Sequence, residues 1–337
     1  MTINPSMAQL SDTLFTTAIA TYATALVGYT AEYAFGHRGR IAETSAAPAP
    51  VRELVGAGGP LIAPASPPTL EITSSDRRSF ADRVGRLALF ATIIGALIHT
   101  ASVAVRAVAV DTVPWSNMYE FASVAGLVAV IAFIAVLWAA PQIRYLGGFV
   151  LLPVIVVMFF AGTVWYSQAQ PLVPALQSYW LAIHVTLAAT SEGALMTSSV
   201  LTVLFLLKQR HDRLLLKSIT MTRFPASIGA RLPPAATLDK VAYRIVAFAF
   251  PLYTVGVICG AIWAEAAWGR YWGWDPKETW AFIVWVVYAC YLHARATAGW
   301  KGRSAAWINL LGFGAISFNF FVVNVVISGL HSYAGLN

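Results

Sequence analysis

The sequence predicts an all-α protein: a polytopic helical membrane bundle of about eight transmembrane helices, with both termini outside. Three observations predict it. Hydrophobic residues make up 58% of the 337 and charged residues 11%, with a mean hydropathy of +0.67; a soluble domain carries roughly 25% charged residues. Apolar runs long enough to span about 30 Å of hydrocarbon recur along the chain. Basic residues collect in alternate loops between these runs, the pattern of cytoplasmic loops. The net charge of +7 therefore reports membrane topology. Nucleic acid is excluded as a partner, and the lipid bilayer takes its place.

The first apolar run is about Leu14 to Phe35, with its positive charge after it, from Arg38. A signal peptide has a positive segment first and a shorter core, so residues 1–36 read as a retained helix with an outer N-terminus. Residues 37–82 are rich in Pro, Ala, Gly and Ser. They bury too little apolar surface to fold alone, and read as a flexible cytoplasmic linker. Residues 83–337 hold seven more helices. The second run, about Val84 to Val110, contains His99 and Arg106. In the loop after it, Asn117 and Glu120 have the spacing of a capping box and start the third run, about Met118 to Ala139. An inner turn with Arg144 leads to the fourth, about Gly148 to Tyr166. The fifth, about Trp180 to Leu207, has His184 in its first turn and ends at Lys208, Arg210 and Arg213. The sixth is about Val241 to Ala264, the seventh about Pro276 to Ala296, and the eighth about Ala305 to Gly329. Cys259 and Cys290 lie at depths about 10 Å apart by helical rise, which excludes a disulfide and leaves them as small packing residues.

The stretch Trp263–Trp285, WAEAAWGRYWGWDPKETWAFIVW, joins runs six and seven and holds six of the twelve tryptophans. Two readings are open. Tryptophan sits well where lipid tails meet water, which makes the stretch an interfacial belt. A dense aromatic surface also makes a stacking shelf for a flat apolar ligand such as a porphyrin. Asp275, Pro276 and Glu278 have helix-starting chemistry: an N-cap, Pro at the first helical position and a carboxylate three residues on. Capping accounts for both acidic residues. Arg270 and Lys277 are either solvated or partners for acidic groups of a ligand.

Topology places His184, His331 and the tryptophan loop on one membrane face. His99 and His293 lie about 18 Å and 25 Å below that face, and an intramembrane ionisable group points to function. Imidazole binds zinc, copper and haem iron. Zinc wants three or four close ligands; haem takes two axial imidazoles and a flat apolar wall. His184 and His331 flanking the aromatic loop therefore favour haem. The shelf narrows to Trp268, Trp272, Trp274 and Trp280, with Asp275 holding the turn and Trp263 and Trp285 left as belt. Glu192, near mid-membrane, must be protonated or face the bundle. Asn319 and Asn324 are candidates for hydrogen bonds between helices.

At residues 268–280, WGRYWGWDPKETW, the chain resembles the tryptophan-rich "WWD" signature of the haem-handling family, and within it the CcsA/ResC branch (CcsB in some bacteria) of system II cytochrome c biogenesis. PWSNMYE at 114–120, SYWLAIHV at 178–185, YLHARATAGWKG at 291–302 and GLHSYA at 329–334 agree, in family order. The resemblance covers roughly residues 84–336. It implies a haem-handling WWD domain over the seven helices of 83–337. It implies haem b, as substrate and transient ligand, held at the outer loop by His184 and His331. It also implies a further haem site within the membrane at His293, with its second ligand from a ResB-type membrane subunit; His99 is a weaker candidate to assist there.

The implied activity is that of a holocytochrome c synthase, a thioether-forming lyase. It moves haem to the outer face of a bacterial plasma membrane and attaches it to the CxxCH motif of apocytochrome c. His184 and His331 are its catalytic residues, and a thioredoxin-like protein keeps the thiols reduced. The alternatives are a haem transporter or chaperone serving a separate lyase, and an electron-transfer cytochrome b subunit.

Overall fold

The structure is a computed structural model, and it describes residues 3–45, 74–114, 116–170, 176–217, 226–297, 299–327 and 329–331, with side chains omitted at 36–45, 74–79, 226 and 227. Among them there is no strand. The helices are α1 (Pro5–Ser45), α2 (Ser74–Val110), α3 (Met118–Ala139), α4 (Gly147–Thr163), α5 (Tyr179–Leu215), α6 (Ala235–Trp268), α7 (Pro276–Ala296) and α8 (Arg303–Phe318). A π-helical segment, Asn319–Val323, and one last turn, α9 (Asn324–Val326), extend α8. All eight expected runs are helical. Among the described residues, seven helices are long and apolar enough to cross a membrane. The eighth, α7, has 21 residues but stands outside that set, because its tryptophans, tyrosines, His293 and Arg295 lower its mean hydropathy. The protein is a multi-pass helical membrane protein.

Helix ends differ from expectation where polar residues prolong the helix. α1 runs on to Ser45 and α2 begins at Ser74, so both enter the segment expected to be linker; its remainder, residues 46–73, lies outside the described residues. α5 and α6 overshoot their apolar runs by two turns at their basic ends. The cap of α3 is half as expected. The Asn117 side chain accepts from the Glu120 N–H at 2.9 Å, but the Glu120 carboxylate turns to Ser116, accepting from its N–H and hydroxyl at 2.9 and 2.8 Å.

Hydrocarbon offers little hydrophobic drive between helices, so close backbone approach and internal hydrogen bonds carry the packing. α1 lies along α2, α5 along α6, and α3 against α4 and α5. Small residues permit this. A β-carbon at Gly193 of α5 would collide with the backbone of α3 at Ala125 and Ala129, and one at Gly28 of α1 would come within 2.9 Å of Ala88 in α2. Polar groups between helices find partners there. Asn309 of α8 donates to Ser198 and Thr202 of α5 at 3.0 and 2.7 Å. The two cysteines are unpaired, as expected.

One ionic network ties α1 and α2 to the start of α3. Arg106 and Glu120 each leave 3% of their side chain exposed, and the Arg106 Nε donates to Glu120 Oε1 at 3.0 Å. Arg106 also reaches Asp12 of α1 at 3.6 Å and the Ser167 carbonyl at 2.6 Å. Tyr166 donates to the other Asp12 oxygen at 2.6 Å. Removing one member of a buried pair costs about 3–5 kcal/mol, since the other charge stays buried. Arg106→Ala is therefore expected to lower the melting temperature of the detergent-solubilised protein sharply, and Glu120→Gln less so, measured by differential scanning fluorimetry.

Candidate functional site

A large cavity opens at the bundle end that carries the tryptophan loop, with about 1290 Å³ of space counting its mouth. Its walls come from α5, α6, α7, the π segment and α9 beyond α8, and the start of α3. His184 and His331, 147 positions apart in the chain, both line it, as do Trp263, Trp268, Tyr271 and Trp272.

The loop between α6 and α7 is set by local chemistry. α6 ends where Gly269 takes φ +70° and donates its N–H to the Glu265 carbonyl at 2.8 Å, a left-handed cap that glycine adopts without strain. Arg270 folds its guanidinium against Gly273, into the space a β-carbon would need. Trp274 sits at φ +57°, unusual for a bulky residue and frequent at functional sites. The expected capping box is present at Asp275 and Glu278, and Glu278 Oε2 accepts from the N–H of Gly273 at 2.7 Å and of Asp275 at 3.1 Å.

Asp275 does more than cap. Its carboxylate accepts from Lys277 N–H at 3.3 Å, Leu330 N–H at 2.8 Å and His331 Nδ1 at 2.8 Å. It thereby pins the segment after α9 onto the start of α7. Gly329 leaves the space; a β-carbon there would sit 2.7 Å from Asp275 Oδ1. Burial pushes the Asp275 carboxyl up, but the Leu330 and His331 hydrogen bonds outweigh it and hold the group below the usual carboxylate range. Burial pushes the His331 imidazole below its ordinary value against the pull of Asp275. At neutral pH the pair is a carboxylate and a neutral imidazole.

A carboxylate only accepts, so His331 Nδ1 carries the proton and Nε2 the lone pair. His184 is held the same way: its Nδ1 lies 2.7 Å from the Gly256 carbonyl, which also only accepts. Gly260, one turn on, makes room for the ring; a β-carbon there would lie 2.6 Å from His184 Nδ1. Both imidazoles thus present the tautomer of a metal-ligating histidine oriented by an outer partner. Around them, Trp263 meets Trp268 edge to face at 4.8 Å, and Trp268 meets His331 at 5.0 Å.

The remaining expected residues fall in several places. Trp263, read as interfacial belt, is 2% exposed and forms cavity wall, because α6 continues beyond it and buries it against Leu176 and Leu181. The Trp285 indole N–H donates to Thr254 of α6 at 3.0 Å. Trp274 is 65% exposed and Trp280 packs tilted against Phe318 at 4.1 Å; neither lines the cavity. His99 is buried between α1, α2 and α3, with Ser123 Oγ 2.9 Å from Nε2 and Tyr22 Oη 3.5 Å from Nδ1. Both ring nitrogens are occupied, so it stays apart from the cavity as a bundle hydrogen bonder. His293 lies in the last turn of α7, exposed, at the opposite end of the bundle.

Sequence reading left Glu192 unassigned and missed Tyr253, Gly256 and Gly260, which also line the cavity. The Gly256–Gly260 spacing on an apolar helix was the available signal. Lys277 lines the cavity too. Its ammonium donates to the Asn319 carbonyl at 3.1 Å, inside the π segment; such segments are frequent at functional sites. Asn324 does bond between helices, to Met118 Sδ at 3.0 Å.

Fold and site together define a polytopic membrane protein with a histidine-flanked aromatic cavity at one end. Residues 115–331 match the cytochrome c assembly protein family. The chain is 38% identical over 257 residues to the cytochrome c biogenesis protein CcsA of Guillardia theta, covering 73% of this chain and 85% of that one. It is 36% identical over 292 residues to the CcsA protein of Gloeobacter violaceus, covering 73% and 86%, and 37% over 272 residues to that of Synechococcus sp. strain JA-2-3B'a(2-13), covering 65% and 77%. The chain belongs to the cytochrome c assembly protein family.

Asp275→Ser separates the two jobs of the carboxylate. Serine keeps an N-cap for α7 but is too short to hold Leu330 and His331. The variant is expected to release the Leu330–His331 segment, with about 10-fold or more faster amide exchange there, while keeping near-native helicity, measured by hydrogen–deuterium exchange and circular dichroism.

Proposed function

We propose that this protein is the haem-binding subunit of a membrane cytochrome c synthase. One observation carries the reading: two histidines distant in sequence line one aromatic cavity, each with Nδ1 tied to an acceptor and Nε2 left as the basic nitrogen. Iron porphyrin is the substrate that suits two such imidazoles within an apolar wall. Family membership supports the cytochrome c end of the reaction.

His184 and His331 hold the iron of haem b, and Trp263, Trp268 and Trp272 enclose the macrocycle. Lys277 offers an ammonium for a propionate. Apocytochrome c presents CxxCH, and its histidine replaces one axial ligand. Each thiol then adds across a vinyl group: sulfur bonds one carbon, and the thiol proton ends on the other. The addition needs no oxidant, only reduced thiols, which a thioredoxin-like partner supplies. Holding haem and thiols at reactive distance is the protein's main contribution to rate. Haem arrives from the cytoplasmic side of a bacterial plasma membrane, with the tryptophan loop on the far side. His293, exposed on α7, suits an inner haem site completed by a ligand from a ResB-type subunit.

The test uses the complex with its ResB-type partner, haem and a CxxCH peptide. Wild type is expected to form covalent haem peptide without other proteins. His184→Ala/His331→Ala is expected to lose the cavity-bound Soret signal and at least about 100-fold of product. Unchanged haem retention and turnover in that double variant would overturn the assignment. Haem binding without covalent product in wild type would favour a carrier serving a separate lyase.

A further inference from the structure

Glu192 is unused by this mechanism, yet it faces the same cavity. It stands eight residues after His184 on α5, about 12 Å deeper along the helix. Among the described residues its carboxylate makes no hydrogen bond or ion pair, and Lys277 is its charged neighbour. The groups that face it are Lys277 of α7, Tyr253 of α6 and Tyr288 of α7. The cavity-lining residues of α3 are neutral, as are Asn319 and Asn324 beyond α8; the other titratable lining groups are His184, His331 and Tyr271, with Glu278. The other lining carboxylate, Glu278, is committed through Oε2 to the Gly273 and Asp275 N–H groups. Lys277, which also feels the Asp275 carboxylate, and Glu192, which makes no direct bond, thus share one low-dielectric cavity without touching.

We propose that Glu192 is the cavity's own counter-ion to Lys277, displaced by a carboxylate of an entering porphyrin and protonated as it yields. The proposal rests on the porphyrin reading of the cavity. With the cavity empty of ligand, Glu192 balances Lys277. A propionate that pairs with Lys277 brings a second negative charge into the same space, and like charges in low dielectric disfavour both being ionised. One proton from water, bound to a Glu192 oxygen, removes the repulsion; no electron moves and no other bond changes. Release runs in reverse: as the porphyrin leaves, Glu192 gives up its proton and its charge again balances that of Lys277 across the cavity. Binding of an acidic porphyrin therefore takes up a proton and weakens as pH rises.

Metal-free protoporphyrin and its dimethyl ester make the test, because neither depends on iron ligation. Both are titrated by fluorescence into the detergent-solubilised full chain between pH 6 and 9. For wild type, the affinity of the acid relative to the ester is expected to fall by up to about tenfold per pH unit, the slope for one proton. Glu192→Gln and Glu192→Ala are each expected to flatten that slope and to keep the acid tightly bound at pH 9. Lys277→Met is expected to abolish the preference for the acid. If both porphyrins bind but the Glu192 variants keep the wild-type slope, the exchange is wrong and the porphyrin reading stands. If neither porphyrin binds, both fall.

Discussion

One carboxylate organises the site. Asp275 accepts from the first turn of α7, from the Leu330 N–H and from His331, while its own N–H goes to Glu278. Four hydrogen bonds at one residue fix a helix start, a loop and the segment after the last helix. That knot orients His331 in the segment beyond α9, where its ring also meets Trp263 and Trp268. An anchor of this kind has to be ionic and multiply bonded, because a segment at a membrane surface buries too little apolar area to dock by itself.

The opposite wall is built by subtraction. Gly256 and Gly260 present a bare strip of α6, so the ring of His184 lies against backbone and its Nδ1 finds a carbonyl. Larger residues there would push α5 away and swing the imidazole off its acceptor. One histidine is thus held by a carboxylate and the other by a carbonyl. The result is the same tautomer at both, reached through two different kinds of partner.

α1 and α2 lie before the residues matched by the family, yet they brace the cavity rim. Asp12 holds Arg106, Arg106 holds Glu120, and Glu120 holds Ser116 beside Asn117 and Met118, which face the cavity. Each link is buried or half-buried, so each depends on the next for its compensation. The chain of contacts gives the first two helices a physical connection to the site.

The helices follow from the amino-acid sequence alone, because length and hydrophobicity decide spans in a medium that tolerates no unpaired backbone. The sequence also determined the capping box, and that His184, His331 and the tryptophan loop share one end of the bundle, since these follow from local patterns and helical rise. Which tryptophans face the cavity depends on α6 continuing past Trp263 and on Trp280 packing against Phe318. Rotation of each helix about its axis depends on its neighbours, and spacing fixes depth without fixing direction. The same reason hid the partners of His99, the glycine strip beneath His184 and the cavity face of Glu192. Those were settled only by which helix packs against which.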